Sequence, residues 1–218
     1  MNPPARKLPW SVGVGLLLVV LTLTLAVLLA GLKSSLARNP HLPVYGQVGD
    51  FTLTNQAGAA VSLADLRGHP WVADIIFTRC AGPCPRMSRQ MKELQDALPP
   101  GGSTRLVTLT TDPDYDTPEI LSRYAERFGA DTNRWMFLTG TKQQIGSLAT
   151  GSLKLSAVER TPEAQSSPND LFVHSTIFVA VDKRGQLRGI FQTAGEGVSW
   201  GKQKQKLLAA IQHLEREP

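Results

Sequence analysis

The only two cysteines in this 218-residue chain are Cys80 and Cys84, four positions apart in Phe77-Thr78-Arg79-Cys80-Ala81-Gly82-Pro83-Cys84-Pro85. Thiolate is the nucleophilic and metal-binding form of cysteine. A close pair can therefore hold a soft metal ion or cycle between dithiol and disulfide. The apolar run Trp71 to Phe77 reads as a buried strand, and Arg86 to Leu94 as a helix with Met87, Met91 and Leu94 on one stripe. The pair is thus expected where a strand ends and a helix begins. Unpaired N–H groups and the helix dipole favour anions there, so a lowered cysteine pKa is expected. Residues at i and i+4 share a helix face, which would let both sulfurs converge on one ion.

Composition narrows the class. Two cysteines in an ordinary background do not make a disulfide scaffold. The net charge of +5 is mild and the basic residues are scattered, which argues against a nucleic-acid partner. The length suits one anchored domain rather than two large ones.

Ser11 to Leu32 carries no charge and is rich in Leu and Val. As a helix it would span roughly 33 Å, enough for a bilayer core. An uncleaved, single-pass membrane anchor over 11–32 is expected, after a short tail, 1–10. A cleaved signal peptide ending near Ser35-Leu36-Ala37 is the alternative, but the apolar stretch is longer than a usual signal core. Flanking charges (Arg6 and Lys7, then Lys33 and Arg38) are nearly balanced and orient it weakly. Residues 33–47, with Pro40 and Pro43, read as a linker. Residues 48–218 are then a soluble domain, expected on the periplasmic side of an inner (cytoplasmic) membrane. The N-terminal tail lacks transit-peptide character, which favours a bacterial envelope over a mitochondrion.

The elements that must position the thiols follow in order. Residues 51–63 read as a hairpin turning at Asn55 to Gly58. In the strand before the cysteines, Asp74 interrupts the apolar run. It is either a water-facing strand position or a buried acid beneath the cysteines, where burial demands a partner. Arg105 to Thr110 is the next strand. Thr111 to Pro118 is a loop feeding a helix, with Thr117 as N-cap and Pro118 at the first helical position. A short strand, Trp135 to Leu138, and a short helix, Thr141 to Thr150, come next. Ser156 to Asn169 reads as an exposed loop. One long strand is expected from Leu171 to Asp182, then a turn, a strand from Leu187 to Phe191, and a closing helix from Trp200 to Glu215. Strands alternating with crossover helices imply an α/β fold whose mixed sheet is flanked by helices.

Three motifs now come together. They are Phe77-Thr78-Arg79-Cys80-x-x-x-Cys84-Pro85, Thr111-Asp112-Pro113-x-x-Asp116-Thr117-Pro118-Glu119, and His174-Ser175 opening a strand. In this order they resemble the Sco/SenC family over roughly residues 46–215. These are membrane-anchored, thioredoxin-like copper proteins that help to assemble the dinuclear copper centre of cytochrome c oxidase. The resemblance implies a thioredoxin-like fold, a copper chaperone function, and copper held by Cys80, Cys84 and His174. It also implies, as partner, the oxidase's copper-bearing subunit or another copper acceptor. Two positions depart from the family pattern. Ala81-Gly82-Pro83 lacks an acidic residue between the cysteines, and Val173 stands where an aspartate usually precedes the histidine. Both remove negative charge, so Cu(I) is expected as the favoured state, with Cu(II) second. Soft thiolates with an imidazole suit Cu(I), with zinc as competitor. His41, His69 and His213 read as solvated.

A redox reading competes. Gly82-Pro83-Cys84 echoes the thioredoxin loop, and Asp74 has the spacing of the buried proton-accepting aspartate of thioredoxins. Cys80 would attack a target disulfide, Cys84 would resolve it, and Asp74 would move the proton. Ser175 stands where thioredoxins carry a cis-proline, and this weakens the purely catalytic version. A sensor signalling through the anchor is a third reading, with little tail to signal to. Asp112, Asp116 and Thr117 could form a partner-facing or metal-entry loop, but a helix-capping loop is the plainer expectation. Met87 and Met91 could be soft secondary ligands, but their helical spacing favours core packing.

Overall fold

The computed structural model describes residues 10–38, 42–159 and 172–217, with the backbone alone at 32–38, 157–159 and 172–174. The chain divides into two compact units, Met1–His41 and Leu42–Pro218. In the first, helix α1 runs over Trp10–Arg38. Its segment Trp10–Gly31 is long and apolar enough to cross a membrane. The helical backbone passes beyond Leu32 to Arg38, so the first residues of the expected linker are helical.

The second unit is built on an eight-stranded sheet in the order β1-β10-β9-β4-β5-β6-β2-β3. Strands β4 (Trp71–Ile76), β5 (Arg105–Thr110) and β6 (Trp135–Thr139) are parallel neighbours. Around them, β9 (Ile177–Val181) and β10 (Gln186–Gln192) pair antiparallel on one side, with β1 (Gly46–Gln47) at that edge. Strands β2 (Thr52–Asn55) and β3 (Ala60–Ser62) form the expected hairpin on the other side. Its turn is closed by Asn55 Oδ1, which accepts from the N–H groups of Ala57 and Ala59, and by Gly58 at φ +78°. The mixed, helix-flanked sheet agrees with the expected fold class.

Residues alternate across β4 and divide the core into two layers. Val72 and Ile76 pack with the apolar stripes of α3 (Cys84–Ala97), α4 (Pro118–Arg127) and α6 (Trp200–Arg216). Ala73 and Ile75 pack in the other layer with α2 (Leu63–Leu66) and α5 (Lys142–Gly146). Met87 and Met91 are fully buried in the first layer, so core packing is their observed role. Helix α5 continues as a π-helical stretch, Ser147–Ser152, where one short α-helix was expected.

Two expectations in the last third are corrected. The long strand from Leu171 is broken. Phe172–His174 is β8, paired antiparallel with β7 (Ala157–Glu159) in a separate two-stranded ribbon, and the central strand starts afresh at Ile177. His174 therefore ends a ribbon strand instead of opening a sheet strand. At the break the chain changes partner: the Ser175 N–H still donates to the Ser156 carbonyl at 2.9 Å, in line with the ribbon, while the Thr176 carbonyl accepts from the Thr193 N–H at 2.8 Å, in line with the β9–β10 pairing. The expected loop from Ser156 contains β7 at its start; its remainder, 160–169, lies outside the described residues.

Candidate functional site

Strand β4 ends at Ile76 and delivers Phe77 to Pro83 as a loop over the C-terminal edge of the sheet. Pro83 is the N-cap of α3 and Cys84 its first residue, where a missing proline N–H costs nothing. Cys80 therefore sits in the loop and not on the helix. The expectation that the two cysteines share one helix face is corrected: they meet across a loop-to-helix corner. Both are buried thiols, not joined in a disulfide. The Gly82 N–H donates to Cys80 Sγ at 3.3 Å. The Cβ of any larger residue at Gly82 would stand 3.8 Å from that sulfur.

Electrostatics reverse a second expectation. The Cys84 pKa is raised, not lowered. Burial is the main cause, followed by the hydrogen bond and charge of Cys80, with the Asp74 charge adding to it and a main-chain bond at Phe77 opposing it. The helix N-terminus does not compensate for removing a thiolate from water.

Asp74 is fully buried, which excludes its water-facing reading. Its position in β4 puts it in the layer of Val72 and Ile76, the layer that also holds Cys80 and Cys84. Thr108 Oγ1 donates to Asp74 Oδ1 at 2.7 Å, and Trp135 Nε1 donates to Thr108 Oγ1 at 2.9 Å. A sheet-borne chain thus holds the carboxylate within electrostatic reach of Cys84. Tyr124, hydrogen-bonded to Ser88 at 2.8 Å, has its own pKa raised by burial and then by these same charges.

The loop is braced by Asp116 and Asp112, which the sequence marked as part of a helix-capping or partner-facing loop but not as a support for the cysteine loop. Asp116 is fully buried. It accepts from the Thr78 N–H at 3.1 Å, from the Thr78 hydroxyl and from the Thr110 hydroxyl. Burial still raises its pKa, against the pull of those donors. Arg79 donates from Nε to Asp112 Oδ2 at 3.1 Å, and its guanidinium lies 4.1 Å from the Tyr115 ring centroid. Thr117 caps α4 by accepting from the Ile120 N–H at 3.4 Å. The 111–118 loop is thus both a helix cap and the buttress of the cysteine loop. The signal for it was a run of short hydroxyl and carboxylate side chains at two strand ends.

His174 stands opposite Ala157 in the β7–β8 register, three residues before β9; its side chain lies outside the described residues. Among the described residues no three His, Cys, Asp or Glu side chains gather as a metal site. His69 is half-buried with Nδ1 shut from solvent. His213 is half-buried with Nε2 3.0 Å from Glu217 Oε1. Neither is simply solvated, as had been expected. His41 lies outside the described residues.

The SCO1/SenC family model matches residues 43–209. The SCO1 protein homolog of Bacillus subtilis is 35% identical over 147 residues, covering 66% of this chain and 73% of that protein. The structure of BsSco covers 83% of this chain and 99% of its own, at 26% identity and TM-score 0.67. Its report concerns a disulfide switch in a member of the Sco family of cytochrome c oxidase assembly proteins. The fold is also that of copper-bound ScoI of Bradyrhizobium japonicum, at 21% identity and TM-score 0.60 over 74% of this chain and 98% of that one. A mixed sheet that presents two buried thiols at a strand-to-helix corner, with a match over most of the chain, settles the kinship: the chain belongs to the Sco/SenC family.

Proposed function

We propose that this protein is a membrane-anchored copper metallochaperone. Cys80, Cys84 and His174 hold one copper ion, which is passed to an acceptor, the copper-bearing subunit of cytochrome c oxidase being the expected one. Helix α1 is the anchor, and the second unit works on the extracytoplasmic side of the membrane. Relatives known as oxidase assembly proteins and a copper-bound structural neighbour support the reading.

The observation that carries it is the burial of both thiols together. Each would oppose ionisation of the other in this apolar layer, as the effect of Cys80 on Cys84 indicates. A soft monovalent cation relieves that opposition and is the natural guest of two thiolates. A neutral imidazole adds a third donor without adding charge. The residues between the cysteines, Ala81-Gly82-Pro83, add none either, which favours Cu(I) over Cu(II).

A second reading, thiol–disulfide exchange by the same pair, is favoured by one observation. Asp74 is a buried carboxylate coupled to Cys84, suited to accept a proton as a disulfide is reduced. The two readings are compatible, since forming the disulfide removes both metal-binding thiolates.

Titration of the reduced protein with Cu(I) against a chromogenic chelator tests the first reading. One tight site, weakened by His174→Ala and lost with Cys80→Ser, is expected. Unchanged affinity in His174→Ala would move the assignment to disulfide exchange.

A further inference from the structure

Gln90 lies in α3, six residues after Cys84, about 9 Å further along the helix axis. It is only 6% exposed, an unusual burial for an amide side chain. Its Nε2 donates to the Thr193 carbonyl at 3.0 Å. Thr193 is also buried, and donates through both its N–H and its Oγ1 to the Thr176 carbonyl, each at 2.8 Å. Thr176 follows His174 by two residues. Between them, Ser175 is tied to Ser156 by two hydrogen bonds, of 2.9 and 3.2 Å, at the root of the β7–β8 ribbon. The helix that starts at Cys84 and the ribbon that ends at His174 are therefore joined through Gln90, Thr193 and Thr176.

The other end of the same amide is also informative. Gln90 Oε1 is buried and has no hydrogen-bond partner. An orphaned buried acceptor costs about 1–3 kcal/mol, so keeping it needs a reason.

We propose that Gln90 is a positioning residue for His174, setting where the root of the histidine ribbon stands relative to the thiol pair. The proposal rests on His174 being a copper ligand. Its action is on the histidine side of the site: the loop that carries Cys80 keeps its own brace at Thr78 and Asp116.

The test is a mutant cycle on the full-length, reduced protein in detergent micelles. Cu(I) affinity is measured for wild type, Gln90→Leu, His174→Ala and the double variant. Gln90→Leu should weaken binding about tenfold, the lower bound for losing a ligand's supporting partner, and add nothing once His174 is gone. In the metal-free protein it should also speed amide hydrogen exchange in peptides covering 172–177 and 190–195. Gln90→Met, which keeps the length of the side chain but removes the amide donor to the Thr193 carbonyl, should repeat the pattern if Gln90→Leu fails to fold. Equal weakening in the presence and absence of His174, or no change in affinity or exchange, overturns the proposal. If His174→Ala itself binds copper like wild type, the ligand assignment fails, and this inference falls with it.

Discussion

Asp116 and Thr78 are 38 residues apart and share two hydrogen bonds, one to the Thr78 N–H at 3.1 Å and one to its hydroxyl. Through that contact the loop feeding α4 holds the loop that carries Cys80. Asp116→Ala would leave the Thr78 and Thr110 hydroxyls and one amide without their acceptor. A loss of at least about 2 kcal/mol is expected in urea unfolding, since buried donors left unmet cost about 1–3 kcal/mol each.

The pH dependence of this brace has a definite sign. Burial raises the Asp116 pKa above the value of an ordinary aspartate. In a window above that value the folded protein keeps a proton that the unfolded chain has released. This group's contribution to stability therefore falls as pH rises through the window. Asp116→Asn should flatten that part of the profile, read from unfolding midpoints at successive pH values above the ordinary aspartate pKa. A wild-type slope preserved in the variant would assign it to another group.

The raised Cys84 pKa keeps this thiol protonated at neutral pH. Copper must displace its proton, so apparent Cu(I) affinity should rise by about tenfold per pH unit for each thiol proton released. Competition titrations at three pH values between about 6 and 8 give the slope. An affinity independent of pH would show that the thiols are already ionised.

Asp74 separates the two functional readings. Its charge contributes to the raised Cys84 pKa, so Asp74→Asn should lower that pKa and speed alkylation of Cys84 at fixed pH. If the pair also exchanges disulfides, the same variant should slow reduction of a model disulfide, because the proton acceptor is gone. Faster alkylation with unchanged disulfide exchange would leave Asp74 an electrostatic neighbour only.

Away from the thiols, Arg188 is a stability test. It is buried and joins three parts of the second unit. Nη1 reaches Asp182 and Glu217 at 2.7 Å each, and Nη2 reaches the Leu42 carbonyl at 3.0 Å. Arg188→Met leaves Asp182 buried without its counter-ion. A loss of about 3–5 kcal/mol is expected, the range for breaking a buried pair from one side. A change under about 1 kcal/mol, the range of an exposed pair, would mean that the site is solvated.

Local pattern made much of this molecule legible. The apolar run before Cys80, the Met87–Met91–Leu94 stripe, the Thr117–Pro118 cap and the Asn55–Gly58 turn each belong to one element, and each formed as its residues require. What stayed hidden depends on contacts between distant segments. The corner that takes Cys80 off the helix is set by Pro83 acting as cap rather than as helix interior. The sign of the Cys84 shift follows from burial in the apolar layer between α3 and the sheet, which overrides the helix dipole. The break before Ile177 is a change of partner, from Ser156 at Ser175 to Thr193 at Thr176, and no reading of Leu171 to Asp182 includes either partner. The Asp116 brace needs three hydroxyl and amide donors from two strand ends, and no periodicity marks such a meeting.

The central claim is that both sulfurs and the His174 imidazole share one copper ion. X-ray absorption on the Cu(I)-loaded, full-length protein addresses it most directly. The account predicts two sulfur scatterers and one imidazole nitrogen per copper, with the nitrogen contribution gone in His174→Ala and a sulfur gone in Cys84→Ser. A two-sulfur spectrum that is identical in wild type and His174→Ala would contradict it.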